Sequence, residues 1–232
     1  MGNKKNYVLV VAAHPDDEVL GCGGTISRHI QNGDSVHVLI LAEGITSRSK
    51  LNINGRLKKE LLSLSESAHR ANKILGTTSI SINHFPDNRM DSIDLLDVVK
   101  KVEEYIIKIE PNIVYTHHAG DVNIDHRITH DAVITACRPQ PNHCVKKLLF
   151  FETASSTEWN PFGSGTTFHA NWFVDISMTI SKKIKALEAY SSEMREWPHA
   201  RSIKNIEYLA HWRGASVGME AAEAFILGRN IT

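Results

Sequence analysis

The chain has 232 residues, of which 42% are hydrophobic, and its 26 lysines and arginines balance its 26 aspartates and glutamates. This length suits one α/β domain with a substantial core, and the balanced charge excludes a general electrostatic attraction to nucleic acid or to an anionic membrane. The three cysteines form no CxxC pair, which argues against a disulfide framework and fits a reducing compartment.

No segment divides the chain or directs it to a membrane. We find no internal repeat, low-complexity tract or linker, so a single domain over residues 1–232 is expected. Residues 1–7 are polar and lack the apolar core of a signal peptide, and no apolar run approaches the about 18 residues that a bilayer requires. We therefore expect a cytoplasmic protein without a transmembrane segment.

The first predicted strand leads directly into a group of metal-binding side chains. Residues 8–13 are an apolar run without alternation, typical of a strand buried on both faces of a parallel sheet. Pro15 ends the strand, and His14, Asp16, Asp17 and Glu18 lie around it, where open α/β sheets collect their ligands. Imidazole and carboxylate groups bind Zn²⁺ or a similar divalent ion. An acidic helix start would explain Asp17 and Glu18, but not His14.

Strand-like and helix-like patterns alternate along the rest of the chain, with glycine and proline at their ends. Further strands are predicted over residues 35–42, 79–84, 113–116, 147–152 and 168–176. Helices are predicted over residues 19–31, 57–75, 93–109, 129–137 and 177–190, with one or two closing helices within 205–227. Gly21, Gly23 and Gly24 would let the first helix pack closely on the sheet. The alternation predicts an α/β, Rossmann-like three-layer fold with a mostly parallel sheet.

Polar loops should border the same edge of the sheet as His14. Arg48 and Arg56 lie in or beside the loop 43–55, and Arg89 lies with Asp87 in the loop 85–91. A guanidinium there could bind a sugar hydroxyl or a phosphate, although each arginine could equally be a solvated charge and 85–91 a simple Pro-Asp-Asn turn.

Two later loops carry aromatic side chains. In residues 153–165, Trp159 and Phe162 could stack on a sugar ring, but packing beneath the loop is the simpler role. Residues 193–201 form a second polar and aromatic loop that contains Arg195 and Arg201. The arginines at 48, 56, 89, 195 and 201 would suit a phosphate-bearing substrate.

Two motifs together resemble the LmbE/PIG-L family of zinc-dependent N-acetyl-sugar deacetylases. The first is AHPDDE at residues 13–18, followed by GCGGT at residues 21–25, and the second lies at Asp125 and His126 after the fourth predicted strand. The resemblance implies that His14, Asp17 and His126 bind the metal. It also makes Asp125 a carboxylate that supports the metal site or caps the helix beginning near Arg127.

The chain departs from this family at one position. Many members have a His-x-x-His pattern, which here reads Asn123-Ile124-Asp125-His126, so Asn123 replaces the first histidine. Asn123 could still donate a hydrogen bond to an oxyanion, which makes it a candidate substrate-binding residue. Other histidines could also compensate, namely His117, His118, His130, His169 and His199.

The expected chemistry is hydrolysis of an amide. Three protein ligands with an open position are typical of catalytic zinc, which lowers the pKa of bound water toward about 7. Asp16 is the remaining carboxylate at the strand tip and would accept the proton of water and return it to the leaving amine. Glu18 would brace the turn.

The resemblance implies a small N-acetylated amino sugar as substrate, such as an N-acetylglucosamine derivative, free or linked to a nucleotide, a lipid or a thiol carrier. Acetate and the free amine would be the products. An amidase acting on a thiol-sugar conjugate and a non-catalytic metal- or sugar-binding module stay open as alternatives. The family also suggests a homo-oligomer, a trimer or a hexamer.

Overall fold

The computed structural model describes residues 5–45, 47, 55–161, 163 and 165–232, apart from the side chain of Arg56. The strands are β1 Tyr7–Ala12, β2 Ser35–Ala42, β3 Ser79–Phe85, β4 Ile113–His117, β5 Lys147–Phe151, β6 Trp172–Asp175 and β7 Ala222–Asn230. The α-helices are α1 Asp17–Gln31, α2 Arg56–Leu75, α3 Leu95–Ile109, α4 Ile124–Ala136, α5 Ile180–Glu188 and α6 Ile203–Ala215, and a 3₁₀ turn covers Met90–Ser92.

One seven-stranded sheet has the order β3-β2-β1-β4-β5-β7-β6. The first five strands in this order are parallel, and β7 pairs antiparallel with both β5 and β6. After β1 the chain adds β2 and then β3 on one side of β1, and it later adds β4 on the other side. The carboxyl ends of β1 and β4 therefore lie side by side. In open α/β sheets this reversal of strand order creates the crevice in which ligands bind.

Both faces of β1 are buried, which explains its unbroken apolar sequence. Val8 and Val10 belong to a core formed with α1, α2 and α5, whereas Leu9 and Val11 belong to a second core formed with α3 and α4. The predicted three-layer α/β fold with a mostly parallel sheet is confirmed. No helix within the described residues is long and apolar enough to cross a membrane.

The prediction for the C-terminal segment is wrong in part. The closing helix α6 ends at Ala215, and residues 222–230 form β7 instead of continuing a helix to 227. This strand lies between β5 and β6, with Phe225 opposite both Phe151 and Trp172. Pairing on both edges therefore outweighs the helix propensity of its alanine, glutamate and leucine residues.

Helix α4 begins five residues earlier than predicted, at Ile124. The Oδ1 atom of Asn123 accepts a hydrogen bond of 2.8 Å from the backbone N–H of Asp125 and caps the helix. This early start places Asp125 and His126 in the first turn of the helix, facing the end of β1.

Helix α1 is kinked at Cys22, and a buried ion pair satisfies the polar groups at the kink. Glu223 of β7 accepts hydrogen bonds from the N–H groups of Gly24 and Thr25, at 2.9 and 2.7 Å. Lys183 of α5 donates to the carbonyl of Leu20 at 2.8 Å and to Glu223 at 2.6 Å. The pair thus ties the helix that carries Asp17 to both α5 and β7.

The predicted close packing of α1 is also visible. A Cβ atom at Gly21 would lie 2.3 Å from the Phe151 ring, and one at Gly24 would lie 2.7 Å from the Ile176 side chain.

Candidate metal centre

Two strand ends bring the predicted metal ligands together. His14 and Asp17 follow β1, and His126 lies in the first turn of α4 after β4. One donor atom from each of these three residues lies within 4.8 Å of the others, and all three residues are buried. Residues 112 positions apart therefore meet at the crevice between β1 and β4.

The donor atoms of this group fit a divalent cation. Asp17 Oδ2 lies 3.2 Å from His14 Nδ1 and 3.1 Å from His126 Nε2. Asp17 Oδ1 is buried without a hydrogen-bond partner, and the contact of His126 Nε2 with Asp17 Oδ2 lacks the geometry of a hydrogen bond. A buried polar atom without a partner is costly, and two such atoms that are good metal donors indicate a cation site.

A carboxylate contacts the far nitrogen of each imidazole. Asp125 Oδ2 lies 2.9 Å from His14 Nε2, and Asp121 Oδ2 lies 3.1 Å from His126 Nδ1. Such contacts fix the orientation and tautomer of metal-binding histidines. Asp125 also accepts the N–H groups of Asn88 and Met90, at 2.6 and 3.0 Å, so it anchors the loop after β3.

These acidic groups favour positive charge at the centre. Burial lowers the pKa of His14, but hydrogen bonds with Asp125 and Asp17 outweigh it and raise the pKa to about 10. Burial likewise lowers the pKa of His126, and Asp17 and Asp121 raise it to about 9. Without a metal, protonation of the His14 and His126 rings supplies the positive charge that the carboxylates attract.

Asp16 lies beside the three candidate ligands in a strained turn. Its backbone is left-handed, with φ 104° and ψ −29°, a conformation that costs a non-glycine residue of order 1–3 kcal/mol. Arg201 donates to its Oδ2 atom at 2.7 Å, while its Oδ1 atom is buried without a partner. Burial raises the pKa of Asp16 well above its usual range, and the charge of Arg201 opposes that rise.

Glu18 holds the backbone of this turn. Its Oε2 atom accepts the N–H of Asp16 at 3.1 Å. Its Oε1 atom accepts hydrogen bonds from Tyr190 at 2.7 Å and Asn72 at 2.9 Å. The expected bracing contact is therefore present, and Glu18 is fully buried.

The predicted substrate-binding residues are less well placed. Arg48 lies outside the described residues, as does the side chain of Arg56 at the start of α2. Arg89 is exposed on the loop that Asp125 anchors. Asn123 uses its carbonyl oxygen to cap α4, and its amide donates to Asn88 Oδ1 at 3.0 Å.

Three nearby histidines have partners that explain their positions. His117 Nε2 accepts the N–H of Ala13 at 2.9 Å, and burial lowers the pKa of His117, so this ring is neutral. His118 contacts the carbonyl of Thr166 at 2.8 Å, and His130 contacts the carbonyl of His117 at 2.9 Å. None of the three needs a catalytic role to explain its burial.

Sequence reasoning missed the roles of Arg201 and Asp121. The sequence shows Arg201 only as a loop arginine suited to phosphate, because nothing near it in sequence indicates a contact with Asp16. Asp121 stands in the motif Asp-x-Asn-x-Asp-His, so its spacing from His126 was the available signal. Its carboxylate accepts hydrogen bonds from Ser156 and Thr157 as well as lying against His126.

Comparison with known proteins places these motifs in a family. The uncharacterized deacetylase YaiS of Escherichia coli is 29% identical over 159 residues, which cover 66% of this chain and 77% of YaiS. Diacetylchitobiose deacetylase of Thermococcus kodakarensis is 27% identical over 218 residues, which cover 87% of this chain and 77% of that protein.

The fold also occurs in an enzyme with another activity. The crystal structure of GalB, the 4-carboxy-2-hydroxymuconate hydratase of Pseudomonas putida, matches with a TM-score of 0.75 and 21% identity over 97% of both chains. At this identity the likeness shows the fold alone.

The sequence model of PIG-L, described as GlcNAc-PI de-N-acetylase, matches residues 9–137, which include both metal motifs. The resemblance seen in the motifs is thereby confirmed, and the chain belongs to the PIG-L family.

Proposed function

We propose that this protein is a zinc-dependent deacetylase that hydrolyses the N-acetyl group of an amino sugar or sugar conjugate. The observation that carries the proposal is the buried group of His14, Asp17 and His126 beside Asp16, whose Oδ1 atom lacks a partner. Relatives named as deacetylases of sugar conjugates support the choice of substrate. Nitrogen and oxygen donors in a three-residue set support the choice of zinc.

His14, Asp17 and His126 would hold the metal, which when bound supplies a Lewis acid for the amide carbonyl and acidifies water. Asp16 is the general base in this proposal. Its Oδ1 atom takes a proton from the attacking water while the water oxygen bonds to the carbonyl carbon. The same carboxyl then gives that proton to the sugar nitrogen as the C–N bond breaks, which yields acetate and the amine.

The surrounding residues orient the reacting groups. Arg201 occupies Asp16 Oδ2, which leaves Oδ1 as the atom that exchanges protons. Asp125 and Asp121 fix the rings of His14 and His126. Arg48, Arg56, Arg89 and Asn123 stay proposed substrate contacts, and Asn123 would have to act through the amide that now reaches Asn88.

The test measures acetate and metal together. Purified protein reconstituted with Zn²⁺ should release acetate and an equal amount of free amine from N-acetylglucosamine or a conjugate of it. Asp16→Ala should retain the metal but lose this activity. Asp97→Asn is the matched control because Asp97 is exposed on α3 and its carboxylate contacts neither Asp16 nor the three candidate ligands.

Other outcomes separate the alternatives. Amine release only from N-acyl thiol-sugar conjugates would identify an amidase with the same metal set. Tight metal binding without acetate release from any N-acetyl sugar would contradict the deacetylase and favour a binding module. The unsaturated carboxylate substrate of the related hydratase belongs in the same panel, since the fold also carries hydration.

A further inference from the structure

One face of the molecule exposes large aromatic side chains beside the candidate site. Trp159, Tyr208 and Trp212 are 53%, 51% and 61% exposed, and they line a cavity of about 670 Å³. The cavity lies between residues 153–159, residues 198–200 and helix α6. We call this cavity the aromatic groove. Large apolar side chains that are exposed together on one surface are typical of a ligand-binding groove or an interaction site.

The rings are held in place although they are exposed. The guanidinium of Arg213 lies 4.7 Å from the centre of the Trp212 ring, and two hydrogen bonds of 2.8 and 2.6 Å fix Arg213 to Glu152. Trp159 packs edge-to-face on His199 with 5.7 Å between ring centres. A ring that is already ordered loses little conformational entropy when a ligand stacks on it.

The groove lies beside the residues that hold Asp16. Ala154 and Ala200 line it, and their neighbours Ser155 and Arg201 are joined by a hydrogen bond of 2.6 Å. Arg201 in turn contacts Asp16 at 2.7 Å. A substrate whose reacting group lies at Asp16 would have to pass Arg201 to place another part of the molecule in the groove.

The lining favours a neutral, weakly polar occupant. No lysine or arginine lines the groove among the described residues. Glu152 is paired with Arg213, and Glu158 accepts the N–H groups of Ser155 and Ser156. The two cations near the rings, Arg213 on Trp212 and Lys204 at 5.7 Å from the centre of the Tyr208 ring, lie outside this lining, and Glu152 already neutralises Arg213. The lining itself therefore offers no cation to a phosphate and few aliphatic side chains to an alkyl chain. Flat aromatic faces with His199 and Asn205 at their edges suit the C–H face and the hydroxyls of a sugar ring.

We propose that the aromatic groove binds a second, neutral sugar ring of the substrate, attached to the N-acetylated ring that reacts at Asp16. This inference rests on the proposed deacetylase function and makes the substrate an oligosaccharide rather than a phosphorylated monosaccharide. It also assigns Trp159, Tyr208 and Trp212 to specificity rather than to catalysis.

Kinetics with two substrates tests the groove. Trp212→Ala and Tyr208→Ala should raise KM for N,N′-diacetylchitobiose by about tenfold, the size expected for one lost aromatic stacking contact. Activity on N-acetylglucosamine should not change. Trp212→Phe keeps a ring and should restore most of the affinity. Trp172→Phe is the matched control, because Trp172 lies in β6 under Lys147 and outside the groove.

A binding measurement separates this inference from the proposed function. Diacetylchitobiose should change the tryptophan fluorescence of the intact protein, and the change should shrink in Trp159→Phe and Trp212→Phe but not in Trp172→Phe. If neither sugar is deacetylated but this signal persists, the deacetylase proposal fails and the groove stands.

Three results would overturn the groove proposal. One is an equal loss of activity on both sugars in the Ala variants. Another is the absence of any fluorescence change with the disaccharide. The third is a change of oligomeric state in Trp212→Ala, measured by light scattering, which would identify the face as a contact between copies of the chain.

Discussion

Arg201 donates a hydrogen bond of 2.7 Å to Asp16 across a sequence separation of 185 residues. The contact occupies one carboxylate oxygen of Asp16 and leaves the other buried without a partner. The position of the proposed proton acceptor thus depends on the loop after α5 as well as on the tip of β1. Arg201 is itself held by Ser155 at 2.6 Å, so the arrangement is ordered before substrate binds.

Replacing Asp16 by asparagine should lower kcat by about 10² to 10⁴, since a positioned general base contributes that much. The metal content should stay the same because Asp16 is not among the three proposed ligands. Steady-state kinetics and elemental analysis on the same preparation measure both quantities. Asp97→Asn should retain full activity. Near-normal turnover by Asp16→Asn would exclude Asp16 as the base.

Replacing Arg201 by methionine should shift the acidic limb of the kcat/KM profile to higher pH. Burial raises the pKa of Asp16 and Arg201 lowers it, so loss of the guanidinium leaves the rise unopposed. Because the base must be ionised, activity then begins at a higher pH, by about 1–3 units for a charge in contact. Arg195→Met removes an exposed arginine of the same loop and should leave the profile in place. An unshifted profile in Arg201→Met would show that the contact only positions Asp16.

Metal binding should release protons. The pKa of His14 is about 10 and that of His126 about 9 in the metal-free protein, so both rings are protonated at pH 7.5 and must lose a proton to bind metal. Affinity should therefore rise with pH below about 9, with a release approaching two protons per ion. Calorimetric titration of Zn²⁺ in buffers of different ionisation enthalpy counts these protons. A release near zero would mean that the rings are already neutral.

Asp121→Asn should weaken metal binding by about 10- to 100-fold, the usual cost of losing a carboxylate behind a metal-binding histidine. An amide can no longer draw the proton on His126 Nδ1 as strongly, although it can still accept from Ser156 or Thr157. Competition with a chromophoric chelator measures the affinity. Asp131→Asn, an exposed change on α4, should have no effect. Equal affinities in the two variants would assign Asp121 to structure alone.

Lys183→Met should destabilise the protein by about 3–5 kcal/mol, because it leaves Glu223 buried without its counter-charge. Urea unfolding measures the loss, and Lys185→Met, on the exposed side of α5, should stay within about 0.5 kcal/mol of the parent. Adding Glu223→Gln to Lys183→Met should recover part of the stability. A single variant as stable as the parent would mean that the ion pair is not needed at the kink of α1.

The sequence by itself determined the features that depend on neighbouring residues. The apolar run at residues 8–13 predicts a strand with two buried faces, and Val10 and Val11 do enter opposite cores. The motif at residues 13–18 places His14, Asp16 and Asp17 together whatever the rest of the chain does. The resemblance of residues 123–126 to the family motif supplied the remaining candidate ligand, His126.

Only the tertiary structure decided which distant groups complete the site. Residues 222–230 contain good helix formers, and they become β7 because two neighbouring strands offer hydrogen-bond partners on both edges. Arg201 and the aromatic groove are assembled from loops and a helix that the sheet brings beside β1. Local patterns carry no information about such contacts, because the path of the chain and the competition for buried polar partners decide them.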